Sequence, residues 1–429
     1  MTRCLIHPLY LFLLVWGGAV ALYLGGVHEG LFPCPSSLTG ALLCLNVVTF
    51  ALGYATWALF QDLNPAPVEP PRVPARPLTQ KAMARALKFT LAMGATTVGL
   101  EMWRVVAVAS YYRTTWLDLV TQPELFRIRM VAFVENTLFQ TSGIVMLLSV
   151  TSSLFSIGFV LLGISLYRDS TRKKYLYLIS FLAVSLTIGL IHLTRYEVTW
   201  NILYLVFAYW FMAWLNRPDD RIPERSMPRS RFRMANRRLL VPLVVLATLF
   251  GLVDLLLHKS SDFGLPGRLQ GWLFHFYWYI AAPLATFNEF VATFHGDLQW
   301  GQGMFLPLYK WLCRFHLVSP VEVSFYGEKV FIPYMSNVYT YLRNIYEDFG
   351  IWGVAVVPYL LGWGAAEVRV RARRTLQFLN LYLVLLLFLL FSFYNFSLVS
   401  NQIYLQVFFG FVLFRYSLQE SPTAGDPVA

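Results

Sequence analysis

Apolar stretches of about 18 to 25 residues recur along this chain, each the length of helix that crosses roughly 30 Å of hydrocarbon. No other feature narrows the possible folds so far. Inside a bilayer every backbone amide must find its partner within the protein, which leaves only helices or closed barrels, and runs of this length are helical. Ten spans are expected, at about 8–27, 39–60, 86–111, 141–167, 175–193, 197–215, 239–257, 349–367, 376–396 and 402–416. The chain is 57% hydrophobic and only 13% charged, against about 25% charged for a soluble domain. It lacks the polar surface that a water-solvated body of 429 residues would need. The first run carries a mock cleavage site at Ala19-Val20-Ala21, but it is too long for a signal-peptide core and more spans follow. It is read as a retained helix.

Lysine and arginine then order the connections. With a cytoplasmic N-terminus, 23 of the 34 basic residues fall on the inner side. They are Arg3, a group from Arg72 to Lys88, another from Arg168 to Lys174, eight arginines from Arg217 to Arg238, four from Arg369 to Arg374, and Arg415. Every short basic loop is on one side, as the positive-inside rule requires, and both termini are expected in the cytoplasm. The net charge of +11 thus faces the anionic inner leaflet of a lipid bilayer. No nucleic-acid partner is expected.

The chain reads as one integral membrane domain, 1–429, without internal repeats. Residues 64–77 are a proline-rich linker that cannot be helical, and 111–136 form an external loop with a short amphipathic helix. The long external (periplasmic) loop 258–348 stands out, because connections of this length are uncommon and are usually functional or disordered. It is too aromatic for disorder, with HFYWY at 275–279, WGQGMF at 300–305 and SFYG at 324–327. Helices lying at the interface, folded as a lid over a cavity between spans, are expected.

Polar residues concentrate in NVYTYLRNIYEDFGIWG, 337–353. On a helix, Asn337, Tyr341, Asn344 and Asp348 form one stripe, and Thr340, Arg343 and Glu347 form its neighbour. An Arg343–Glu347 pair at the membrane surface is the plain alternative to a site. The DFG triplet is no kinase motif, since a kinase aspartate needs a catalytic-loop asparagine and cytosolic nucleotide. Gly350 and Gly353 are read as close-packing positions. Arg195 occupies the short outer turn IHLTRYEVTW, 191–200, where it either snorkels or serves a site. Glu101 and Arg104 lie within a span at i, i+3, as an ion pair or as part of a site. Asn395 is read as interhelical glue.

His192, His275, His295 and His316 lack metal-ligand spacing, as do Cys4, Cys34, Cys44 and Cys313, so neither metal nor cofactor is expected. A Cys34–Cys313 disulfide stays open. Nothing matches a P-loop, GxSxG or HExxH. What remains is an outward-facing set of arginines, tyrosines and a few acids, which suits an anionic, lipid-anchored substrate. Cytosolic nucleotide sugars do not reach that face, so polyprenyl pyrophosphate is the available donor chemistry. Arginine forks stabilise charge developing on such a leaving group.

Three segments carry a resemblance. YxxxPLATFNEF (279–290), GxGMFLPLYKWL (301–312) and then NVYTYLRNIYEDFGIWG resemble, in that order, bacterial oligosaccharide repeat-unit polymerases of the Wzy type. An arginine in the short upstream turn is also typical, and Arg195 stands there. The turn itself reads Leu193-Thr194-Arg195-Tyr196, without the usual glycines, and Asn288 stands where an acid is common. The resemblance implies an all-α polytopic bundle of the glycosyltransferase C type in the bacterial cytoplasmic (inner) membrane, with its active site under external-loop helices. It implies that Arg195 and Arg343 bind the pyrophosphate of a polyprenyl-pyrophosphate-linked glycan donor. Asp348, Asn337 and Tyr341 would shape the sugar or acceptor site, with Asp348 or Glu289 as a base where one is needed. Tyr339, Thr340 and Tyr279 belong to the same motifs and join Glu101 and Arg104 as substrate-binding candidates. Lid tryptophans and tyrosines would stack on sugar rings. A chain-length regulator and a flippase become candidate partners. The alternatives are an O-antigen ligase-like transferase, with the same donor, and a lipid-linked glycan transporter or flippase.

Overall fold

Helices account for most of the computed structural model, which describes residues 6–63, 80–122, 125–126, 128–130, 133, 143–168, 171–192, 196–215, 268–319, 330–332, 334–336, 338–394 and 400–418. In chain order the longer ones are α1 Pro8–His28, α2 Ser37–Leu63, α3 Gln80–Tyr111, α4 Gly143–Arg168, α5 Arg172–His192, α6 Tyr196–Leu215, α7 Arg268–Thr293, α8 Leu306–Arg314, α9 Leu342–Arg374, α10 Leu379–Phe391 and α11 Asn401–Leu418, with single turns at Asp118–Thr121 and Leu376–Phe378. Seven, α1 to α6 and α9, are long and apolar enough to cross a membrane. The chain is a predominantly helical, polytopic membrane protein. Helices α10 and α11 lie where spans nine and ten are expected. The expected span 239–257, the linker 64–77, Arg195, Asn337 and Asn395 lie outside the described residues.

One short hairpin departs from the all-helical expectation. Val330–Ile332 (β1) pairs antiparallel with Tyr334–Ser336 (β2), Phe331 opposite Met335. Its β-branched and aromatic residues suit a pleated ribbon.

The chain divides into two compact units. The first comprises Met1–Pro70, His258–Arg371 and Val384–Tyr404. Here α7 packs along α1 and also meets α2 and the hairpin. Helices α2 and α9 cross with backbones in contact: a Cβ on Gly53 would lie 2.0 Å from the Tyr359 carbonyl oxygen, and one on Gly362 2.1 Å from that of Phe50. Lipid offers no hydrophobic drive for helices to associate, so such van der Waals contact between small residues supplies much of it. Phe12 stacks on Phe50 in the same core, ring centroids 3.9 Å apart. Cys34, Cys44 and Cys313 are free thiols.

The second unit comprises Pro71–Leu257, Ala372–Leu383 and Leu405–Ala429. Its core is α4, packed against α3 and α6, with α5 against α3. Phe155 and Phe181 stack at 5.4 Å, and buried hydroxyls of Thr97 and Thr151 bond at 3.0 Å. Asn380 Nδ2 donates to the Gln406 carbonyl at 2.8 Å, holding the start of α10 to α11.

Candidate functional site

In the first unit, α9 is two helical segments that meet at Gly350, with φ 60° and ψ −147°. That conformation is essentially reserved for glycine. Gly350 therefore breaks the helix, where the sequence suggests a packing role. Residues 342–349 form a separate short segment ahead of the long apolar run, and it carries the charges.

The helix begins at Leu342, so the expected stripe through Asn337, Tyr341, Asn344 and Asp348 does not form as one helical face. The physical reason is tertiary: the Tyr341 amide donates to the Ser392 carbonyl at 2.9 Å, outside any helical ladder. Its phenol, fully buried, donates to Asn46 Oδ1 of α2. Trp16 packs edge-on to the same ring and donates from Nε1 to Ser392 Oγ at 2.9 Å. Tyr341 is thus tied into the helix packing.

Asp348 is also fully buried. Its Oδ1 accepts from the Gly303 amide at 2.9 Å and its Oδ2 from Met304 at 2.6 Å. The carboxylate is the centre around which turn 299–304 folds. Trp300 N donates to the Asp348 carbonyl at 3.0 Å, and Gln299 N to that of Glu347 at 3.1 Å. A carboxylate whose oxygens both accept backbone amides holds this turn in place; the sequence reading offers Asp348 or Glu289 as a base where one is needed.

Arg343 is different. Its guanidinium lies over the rings of Tyr339, at 4.7 Å, and Phe290 of α7, at 5.3 Å. Its only described ion pair is with Glu347, Nη2 to Oε2 at 3.6 Å. Nε is buried without a hydrogen-bond partner, as are the neighbouring Thr340 hydroxyl and Gln299 Oε1. An unfilled buried donor costs about 1–3 kcal/mol, so these atoms are ready for a ligand's oxygens or hydroxyls. Glu289 sits beside Phe290, half-buried. Asn288, its other neighbour, accepts from the Ser36 amide at 2.9 Å and fastens α7 to the α1–α2 connection. The Thr286 hydroxyl donates to the Val338 carbonyl, tying α7 to the irregular segment that leads into α9. The Tyr279 ring lies tilted against that of Tyr394, centroids 5.5 Å apart.

In the second unit, Glu101 bonds Arg104 (2.7 Å) and also His192 Nε2 (2.9 Å), while His192 Nδ1 lies 3.6 Å from Glu197. The i, i+3 spacing announces the first pair. His192 and Glu197 come from α5 and α6, and only their place at the ends of successive spans hints at the contact. Among the described residues, no three His, Cys, Asp or Glu side chains gather as a metal site would need.

No protein-family model, curated protein or solved structure matches this chain.

Proposed function

We propose that the chain is a membrane glycosyltransferase that polymerises polyprenyl-pyrophosphate-linked oligosaccharide repeat units. It works on the outer face of the bacterial cytoplasmic membrane, as a ten-span bundle of the glycosyltransferase C type with both termini inside. The observation that carries this reading is Arg343: a cation lying over two aromatic rings, with a buried Nε that has no hydrogen-bond partner, just before a membrane span. Positive charge on rigid supports, next to bilayer, fits the headgroup of a lipid-linked anion. Three ordered motifs and the basic-loop asymmetry add to it.

In the reaction, an acceptor hydroxyl attacks the anomeric carbon of the donor glycan. The bond from that carbon to the pyrophosphate oxygen breaks, and polyprenyl pyrophosphate leaves with the electron pair. Arg343 stabilises the negative charge that grows on the leaving oxygen. The acceptor's proton passes to Glu289 or to water, because both Asp348 oxygens already accept amides. Pyrophosphate is a good enough leaving group that charge stabilisation carries most of the catalysis.

The test is to incubate purified protein with polyprenyl-linked repeat units. Ladders of increasing length support polymerisation. Transfer to a lipid A core instead identifies a ligase, and unaltered substrate that crosses vesicles identifies a transporter.

A further inference from the structure

Trp300 has a left-handed backbone, φ 51°, a conformation that is costly for a bulky side chain and is usually left to glycine. Its amide donates to the Asp348 carbonyl at 3.0 Å, and its carbonyl accepts from the Tyr309 hydroxyl of α8 at 3.2 Å. The indole is 71% exposed, so burial within the protein does not offset the strain. Strain kept under such restraint marks a side chain held for use. The turn lies against the start of the α9 span. Leu298 Cδ2 stands 3.7 Å from where a Cβ on Gly350 would be, and Phe349 Cζ 3.3 Å from one on Gly301. Just beyond, Trp352, Val356 and Leu360 form an exposed apolar stripe at i, i+4 and i+8, the surface that a span turns to lipid. On α8, Leu308 and Trp311, with Phe315 just past its end, form a second exposed apolar face at i, i+3 and i+7. Lys310 lies on another side of that helix.

We propose that Trp300 and the Leu308–Trp311–Phe315 face of α8 rest in the lipid leaflet where the α9 span begins, the outer leaflet in the proposed orientation. Through turn 299–304 this surface adjoins the lipid-facing stripe of α9. Tryptophan concentrates at the boundary between headgroups and hydrocarbon, where the ring is buried and its N–H stays wet. A short helix with one apolar face lies flat at that depth. Leu308, Trp311 and Phe315 offer a single N–H among them, which suits hydrocarbon and not a glycan, whose hydroxyls need partners. The face is also far smaller than the roughly 800 Å² that a stable protein partner covers. The turn held by Asp348 thus aims Trp300 and α8 at the bilayer. Because Asp348 belongs to the segment that carries Arg343, the same contact sets that segment's depth. The inference needs α9 to cross the membrane and is independent of the reaction proposed.

The experiment uses the full chain in phosphatidylcholine vesicles, with Cys4, Cys34, Cys44 and Cys313 replaced by alanine. Leu308→Cys, Trp311→Cys and Phe315→Cys each carry a nitroxide label, and Val356→Cys and Lys310→Cys serve as references. Power saturation compares collision with oxygen, which enters hydrocarbon, and with a nickel chelate, which stays in water. The oxygen-to-nickel ratio at 308, 311 and 315 is expected to approach that at 356 and to exceed that at 310 several-fold. Trp300→Gly, read with the label at 311, relieves the left-handed strain. Its melting temperature should hold or rise, while the ratio at 311 falls toward that at 310. Ratios at 308, 311 and 315 no higher than at 310 place the face in water and overturn the proposal. Labels shielded from both collision partners place it against protein, a second copy or another segment of this chain, and overturn it equally. A lower melting temperature in Trp300→Gly with an unchanged ratio at 311 shows an indole that serves packing alone and overturns its part in the contact.

Discussion

Replacing Asp348 by asparagine separates two roles for this carboxylate. Asparagine keeps the shape but carries one acceptor oxygen instead of two, and its amide nitrogen must face a backbone N–H. In the native protein Oδ1 accepts from Gly303 and Oδ2 from Met304, and the side chain is sealed from solvent. Each stranded buried donor costs about 1–3 kcal/mol, and bonds to a charged acceptor are the stronger kind. One stranded donor, pressed against the new amide nitrogen and taken from a charged acceptor, puts Asp348→Asn at about 1–3 kcal/mol of destabilisation. Asp348→Ala strands both donors and should cost more. Melting of each variant in nanodiscs reads the stability, and the labelling rate of a cysteine at position 302 reads whether turn 299–304 has come loose. Both variants should melt lower and label faster than the wild type. An Asp348→Asn protein that melts and labels like the wild type, yet makes no glycan ladder, would refute the holding role and restore Asp348 as a base.

Further outcomes follow from the same features. Arg343→Ala and Arg195→Ala should each lower turnover by roughly 10²-fold, as lost oxyanion donors do. Arg343→Lys should not rescue, since an ammonium cannot fork. Arg129, already within 3.5 Å of Asp118, is the control whose loss leaves ladders intact. Single cysteines at positions 225 and 329 should label only from the cytoplasm and only from outside, respectively, and the reverse pattern would contradict the proposed orientation. Gly53→Ala places a methyl 2.0 Å from a backbone oxygen of α9. It should destabilise by about 1–3 kcal/mol, the usual range for overpacking, and wild-type melting would show that the crossing yields easily.

The membrane helices were legible because hydrocarbon imposes a rule on sequence that needs no knowledge of neighbours. A chain must stay apolar for the thickness it crosses, so α1 to α6 lie within a few residues of the expected spans. The stripe before α9 was misread for the opposite reason. Periodicity places Tyr341 and Asp348 on one face, but a carbonyl at Ser392, far along the chain, captures the Tyr341 amide before any helix starts. Local spacing carries no trace of that capture. Nor does it show that the amides meeting Asp348 come from 44 and 45 residues upstream, or that Gln299 reaches Glu347 across 48. The Gly350 break is legible only in part: a glycine before a span marks a possible bend without saying that one occurs.

Arg343, Glu347 and Asp348 show how far a shared helical turn is from a shared role. All three are charged and partly or wholly buried, and sequence pattern treats them alike. Their partners divide them. Asp348 is saturated by backbone donors, so its charge is spent on holding a turn. Glu347 accepts from the Gln299 side-chain amide and lies within ion-pair distance of the Arg343 guanidinium. Arg343 rests against aromatic faces that offer no hydrogen-bond acceptor in the plane of its Nε. A protein that needed this arginine only for stability would gain by giving that nitrogen an acceptor, since buried donors are almost always paired. The ring contacts recover part of the missing stabilisation, because a desolvated cation over an aromatic face gains about 2 kcal/mol, and they do so without occupying the N–H. The Phe290 and Tyr339 rings therefore let the cation persist in a buried place while its Nε–H stays open, as the proposed role requires.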